Sequence, residues 1–271
     1  MKFRKMISVF TVGFILASFT GCADKETYNI KFNPSVGDEY SVTSSIKIDA
    51  TQGTKKITLD GDVKGNVKYI NVSEDEITEE VGYDDFSMNM DMGGISMQVN
   101  EDNEMFKELI SQLKASKILI TADRDGNILT YNVEGEEEAE LNKYGVDLSS
   151  KGNILGGNNF CILENMEIKD GEEISISLDK LLGKDAENTL GVNVDGSTLI
   201  GKVKSIKDNV AEITFDIDSI KLDTNNSTLK NFNANIKINV DTGITESMEI
   251  DTDMDGSVQG NIILKSTMKK K

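Results

Sequence analysis

The chain has 271 residues, 47 of them acidic and 29 basic, with a formal net charge of −18, no histidine, no tryptophan, one proline and two cysteines. So acidic a body repels polyanions, which excludes nucleic acid as a partner. The missing histidine removes the usual general base, the commonest metal ligand and every Ser–His or Cys–His arrangement, so a non-enzymatic protein without cofactor or metal is expected.

Lys2, Arg4 and Lys5 form a basic head, Met6 to Phe19 an apolar run, and Phe19-Thr20-Gly21-Cys22 closes it. The run is too short for a convincing membrane span and reads as a secretory signal. It resembles the bacterial lipoprotein signal, with Phe19 where that pattern usually has Leu. The resemblance implies that residues 1–21 are removed and that Cys22 is lipidated. The protein would then be exported and held by its lipid on the extracytoplasmic face of a membrane. Removing residues 1–21 leaves 250 residues and a charge of −21. Residues 22–27 read as an acidic tether. With Cys22 lipidated, Cys161 has no disulfide partner, and its apolar neighbours Phe160, Ile162 and Leu163 make it a small buried hydrophobe.

From Tyr28 onward apolar and polar residues alternate with the period of a half-buried strand. Tyr28, Ile30 and Phe32 open the pattern, and Pro34 with Gly37-Asp38 marks a turn. Tyr40, Val42, Ile46, Ile48 and Ala50 share one face; Ile57, Leu59, Val63, Val67 and Tyr69 share the next. A slip between Tyr69 and Ile70 predicts a bulge. Ile77, Val81 and Tyr83 continue, followed by Phe86, Met88, Met90 and Met92 and, after Gly93-Gly94, by Ile95, Met97 and Val99. At Asp102 the rhythm changes. Met105, Phe106, Leu109, Ile110 and Leu113 form one stripe of an amphipathic helix over Asp102–Ala115, capped by Asp102 or Asn103. Ile118 to Val133 reads as a hairpin turning at Asp125-Gly126-Asn127, and Glu134 to Asn159 as a flexible crossover with one helical turn around Glu136–Leu141. The C-terminal stretch is a three-stranded meander, turning at Asp241-Thr242-Gly243 and Asp255-Gly256.

The second half echoes the first. Asp170-Gly171-Glu172 matches Gly37-Asp38-Glu39, and Val203-Lys204-Ser205-Ile206 matches Val67-Lys68-Tyr69-Ile70. One β-rich domain over 28–271 is expected, made of two weakly similar halves at about 28–134 and 160–271. The fold class is mainly β with a minor α part: a large curved antiparallel sheet or half-barrel covered by one or two helices. Gly37-Asp38-Glu39-Tyr40, Asp170-Gly171-Glu172 and the Thr242-Gly243 meander are similar to a family of bacterial surface lipoproteins of unknown function. The architecture resembles the half-barrel of lipoprotein carriers and of mycobacterial-type lipid-binding lipoproteins. That resemblance implies a fold and brings no catalytic residue.

Two constellations bear on function. Asp251, Asp253, Asp255 and Gly256 open like a calcium loop, but Ile262 stands where the bidentate Glu belongs, so they read as the solvent face of a strand and its turn. The thioether row Met88, Met90 and Met92, with Met97 and Met105 following, suits a deformable apolar wall better than a soft-metal site. Core packing is its first reading. The second is the lining of a ligand cavity between sheet and helix, completed by Phe106 and Leu109, for a lipid or another hydrophobic small molecule. An envelope protein-interaction module with a filled core is the alternative.

Overall fold

The computed structural model describes residues 26–124, 128–134, 162–182, 197–222, 228–256 and 258–271. The signal, Cys22, the tether to residue 25, the turn at 125–127, the crossover from residue 135 and Cys161 lie outside the described residues. In chain order the elements are β1 (Thr27–Ile30), β2 (Glu39–Gln52), β3 (Lys55–Val72), β4 (Glu76–Met92), β5 (Ile95–Val99), α1 (Lys107–Ala115), β6 (Lys117–Asp123) and β7 (Ile128–Glu134). There follow β8 (Met166–Lys169), β9 (Glu173–Ser177), α2 (Leu178–Leu182), β10 (Thr198–Lys207), β11 (Val210–Lys221), β12 (Thr228–Asn239), β13 (Thr245–Asp255) and β14 (Gln259–Lys270).

Twelve strands form one antiparallel sheet in the order β7-β6-β4-β3-β2-β14-β13-β12-β11-β10-β9, with β5 beside the far end of β4. The end strands β7 and β9 do not pair with each other, so the sheet is open and not a barrel. This is the mainly β architecture that the alternation predicts. Each strand sends every second side chain to one face. Tyr40, Val67 and Val81 meet there through the pairs Tyr40↔Val67 and Val67↔Val81, and all three are buried. The opposite face carries cross-strand ion pairs such as Lys47–Asp60 at 3.3 Å and Lys265–Glu249 at 2.6 Å. Each of these side chains is more than half exposed, so the pairs add little stability and mainly keep that face wet.

The apolar face builds two cores. One lies on β9 to β13, where Val203, Ile213, Phe215, Phe232 and Ile236 pack with Ile162, Leu163, Ile168, Leu178 and Ile30. The other lies on β2, β3, β4 and β6, where Tyr40, Val67, Tyr69, Val81 and Ile118 pack with Phe32 and Ile244. Residues 30–33 therefore strap the two cores together, Ile30 in one and Phe32 in the other. Backbone groups of Ile30, Phe32 and Asn33 hold the strap in place. The Asn165 N–H donates to the Ile30 carbonyl at 2.9 Å, and the Asn33 N–H donates to the Thr242 carbonyl at 2.8 Å. The Phe32 N–H donates to the Glu164 carboxylate. The Arg124 guanidinium donates to the carbonyls of Phe32 and Ser73. Gly243, at φ +69, lies so close that a Cβ there would sit 2.5 Å from the Lys31 carbonyl oxygen.

Equivalent bonds recur in the two halves at an offset of 134 residues, which sets Val203 against Tyr69 rather than against Val67 as the sequence match has it. The Gly37 N–H donates to the Tyr69 carbonyl and the Tyr69 N–H to that of Asp38. Likewise Gly171 donates to Val203, and Val203 to Glu172. The ladder slips between Tyr69 and Asn71, where the bulge is expected, and again between Val203 and Ser205. One boundary differs from the sequence reading. The helix begins at Lys107 rather than Asp102, with Phe106 at its N-cap and no side-chain cap. Asn103 is used earlier: its side-chain oxygen accepts from the Met105 N–H at 3.1 Å and its amide donates to the Gln98 carbonyl at 2.6 Å. A short polar side chain bonded to nearby backbone favours turns over a helix, and here it delays the first helical residue.

Candidate functional site: an apolar shelf beyond the core

The β2–β3 and β4–β5 links are two-residue turns. Gly53 takes φ +62 between the paired Gln52 and Lys55, and Gly93 and Gly94 take +65 and +94 between Met92 and Ile95. Successive positive φ values are what a tight hairpin with twisted strands requires, which explains the Gly-Gly pair. These tight turns hold the far ends of four strands in register.

Three rows of side chains result on the apolar face. The first is Ile46, Gly61, Met88 and Val99; the second Ile48, Leu59, Met90 and Met97; the third Ala50, Ile57, Met92 and Ile95. Exposure grows outward along β3, β4 and β5, while Ala50 on β2 stays buried. Val63, nearer the core, is buried, whereas Ile46, Ile48, Ile57, Leu59, Met88 and Met90 are half-buried. At the rim Met97 is 36% exposed, Met92 54% and Ile95 76%. The result is a shelf of aliphatic and thioether side chains continuous with the core but incompletely covered.

The helix does not close this shelf. Helix α1 packs on β4 and follows β5, whose Val99 pairs with Met88; it precedes β6, whose Lys117 pairs with Gly82. It buries Leu109, Ile110 and Leu113, and Phe106 packs half-buried against Leu109 and Leu113. Met105 precedes the helix and is 74% exposed. The methionine row thus has the predicted alternation, but its outer members are not roofed by the helix as the periodicity suggests. Met88, Met90, Met92 and Met97 share the shelf; Phe106 and Leu109 belong to a small cluster on the helix, and Met105 projects outward.

Ionisable groups are scarce on this face of β2 to β5. Glu79 occupies an inward position between Ile77 and Val81, 7% exposed, paired across the sheet with Tyr69 and Ile120. Burial pushes its carboxyl up to about 8, so it is largely neutral at pH 7 and the face stays apolar. It makes no hydrogen bond or ion pair with the described residues. The sequence held a signal for it, a carboxylate interrupting the alternation Ile77-Val81-Tyr83, and also for Ile46, Ile48 and Leu59, which pattern alone assigns to a core. Among the described residues no cluster of three or more acidic or cysteine side chains could hold a metal ion. Asp251 and Asp253 are strand residues accepting from the Asn261 amide at 2.8 and 3.2 Å, and Asp255 pairs with Lys230.

The fold and this face define an open antiparallel β protein with an incompletely covered apolar surface. No family model matches the chain, and no curated protein matches it. Among solved structures it is similar to lipovitellin, in a study of lipid–protein interactions, at 10% identity and TM-score 0.46. The match covers 89% of this chain and 25% of that one, so the chain spans a quarter of its length. A hypothetical protein from Chlamydia trachomatis is similar at 11% identity and TM-score 0.25 over 86% of each chain. The outer membrane protein OprG of Pseudomonas aeruginosa is similar at 9% identity and TM-score 0.19, over 89% of this chain and 98% of that one. With TM-scores this low, these likenesses carry no weight for function.

Proposed function

We propose that the protein is an exported lipoprotein, anchored through Cys22, that binds an apolar or amphiphilic molecule on the shelf of β2 to β5 without catalysing a reaction. The observation that carries the reading is the shelf itself: apolar side chains in strict register, continuous with the core, left half-open to water. Each buried side chain of this kind gains about 1.5–3 kcal/mol, so covering three of them is worth several kcal/mol to a ligand. Methionine suits the task because its unbranched thioether adapts to ligands of varied shape.

Native mass spectrometry of the purified protein tests this. A bound species of lipid mass is expected, lost in Met90→Asp, which places a carboxylate on the shelf where its half-exposed position lets it hydrate. Absence of any bound species, together with no uptake of a fluorescent fatty-acid probe, sinks the reading. A second reading is favoured by β5, on whose outer side no strand lies among the described residues. An extended segment of an envelope protein adding there would cover Ile95 and Met97 instead.

A further inference from the structure

Granted the shelf as an apolar binding surface, we infer that it takes an anionic single-chain amphiphile, its chain along Met88, Met90 and Met92 and its head group at Lys55. Lys55 continues the alternation of Leu59 and Ile57 and so stands on the same face, at the open end of the row. Its stem lies beside Gly93, the residue after Met92, where a Cβ would meet it at 3.5–3.7 Å. The next residue, Lys56, points the other way and is engaged with Asp49 at 3.2 Å. Lys55 makes no ion pair with the described residues.

Its isolation is the telling feature. On the apolar face of β2 to β5 the only other charge-bearing side chain is Glu79, which is buried at the opposite end of β4 among the core residues. The strands β2 to β5 thus place no carboxylate beside the shelf on this face and one cation at its mouth. Met88 to Met92 spans about 13 Å of strand, enough for an extended chain of roughly ten carbons. A carboxylate or phosphate monoester on that chain would reach the ammonium as the chain lies down, and neither a neutral nor a cationic head group would gain there.

Methionine-methyl carbon spectra of the purified full-length chain, titrated with dodecanoate, dodecyl phosphate, dodecanol and dodecyltrimethylammonium, separate the outcomes. Shifts are expected at Met88, Met90, Met92 and Met97, with the anions bound roughly two- to fivefold more tightly than dodecanol. Lys55→Glu should erase that preference and Lys55→Gln should level it; both variants alter an exposed side chain, and unchanged urea midpoints verify their folding. A preference for the phosphate alone, or for both anions, supports the inference and names the head group. Equal binding of all four, unmoved by Lys55→Glu, overturns the head-group assignment while leaving an apolar ligand on the shelf. Tighter binding of the ammonium overturns it likewise, and no methyl shift with any titrant overturns both readings.

Discussion

Glu79 shows what one residue does to a sheet. Its partner across the ladder is Tyr69, and the equivalent pair in the second half, Ile213 with Val203, places isoleucine where Glu79 stands. The unfolded carboxyl ionises near 4.5 and the folded one near 8. Between those values the unfolded state has lost its proton and the folded state has kept it, so stability falls as pH rises through that window. Glu79→Ile should therefore stabilise the protein, by about 2–4 kcal/mol at pH 8 and by clearly less at pH 5. Urea midpoints at the two pH values measure it, and a gain independent of pH would show that the carboxyl is not buried as described. Asp38 has the opposite sign. Its carboxylate is held below the ordinary 3.8 first by the Lys270 ammonium at 2.8 Å, with help from the Ser35 N–H and the Tyr40 hydroxyl. That contribution is present above the unfolded pKa and lost as pH falls through the acid range.

At the scale of elements, the strap 30–33 matters more than its length suggests. It forms no part of the large sheet, yet it ties a residue of each core to the β12–β13 turn, to Glu164 and to Arg124. Arg124→Ala leaves two carbonyls, on Phe32 and Ser73, without their charged donor and should cost about 2–3 kcal/mol. Lys at the same place cannot span both acceptors as a planar guanidinium does, so Arg124→Lys should recover only part of the loss. Thermal melts of the three proteins decide this; equal melting of all three would mean the strap is held without the arginine. The shelf offers the complementary contrast. Val67→Asp, on the buried part of β3, should unfold the domain, whereas Met90→Asp, on the same face but half-exposed, should fold and lose only ligand.

For the whole molecule, the two halves join head to tail, β2 of the first lying against β14 of the second, so that one continuous sheet carries two separate cores. From the glycine turns, the backbone bonds and the bulges at one common offset we propose that the halves are copies of one unit. Anchoring belongs to this scale as well. If Cys22 carries the lipid, Cys22→Ser should release the protein to the medium or leave an uncleaved precursor, seen by fractionation and mass measurement. Normal processing with unchanged membrane retention would refute it. Stable retention needs at least two acyl chains, because a single one binds only marginally.

Alternation of apolar and polar residues is a local property, and it sufficed for the strands, their faces, the bulge after Tyr69 and the closing meander of β12, β13 and β14. The missing histidine likewise bounded the chemistry without any coordinates. Pattern fixes which face a side chain joins, but not what, if anything, lies across from it. Val67 and Met90 obey the same rule and differ in fate because Phe32 of the strap and Ile244 pack over one end of the face while α1 stops short of the other. Strand order, the division of the core and the open shelf with Lys55 at its mouth all depend on contacts between residues far apart in the chain. Those are set by the mutual packing of whole elements, and only the tertiary structure decides them.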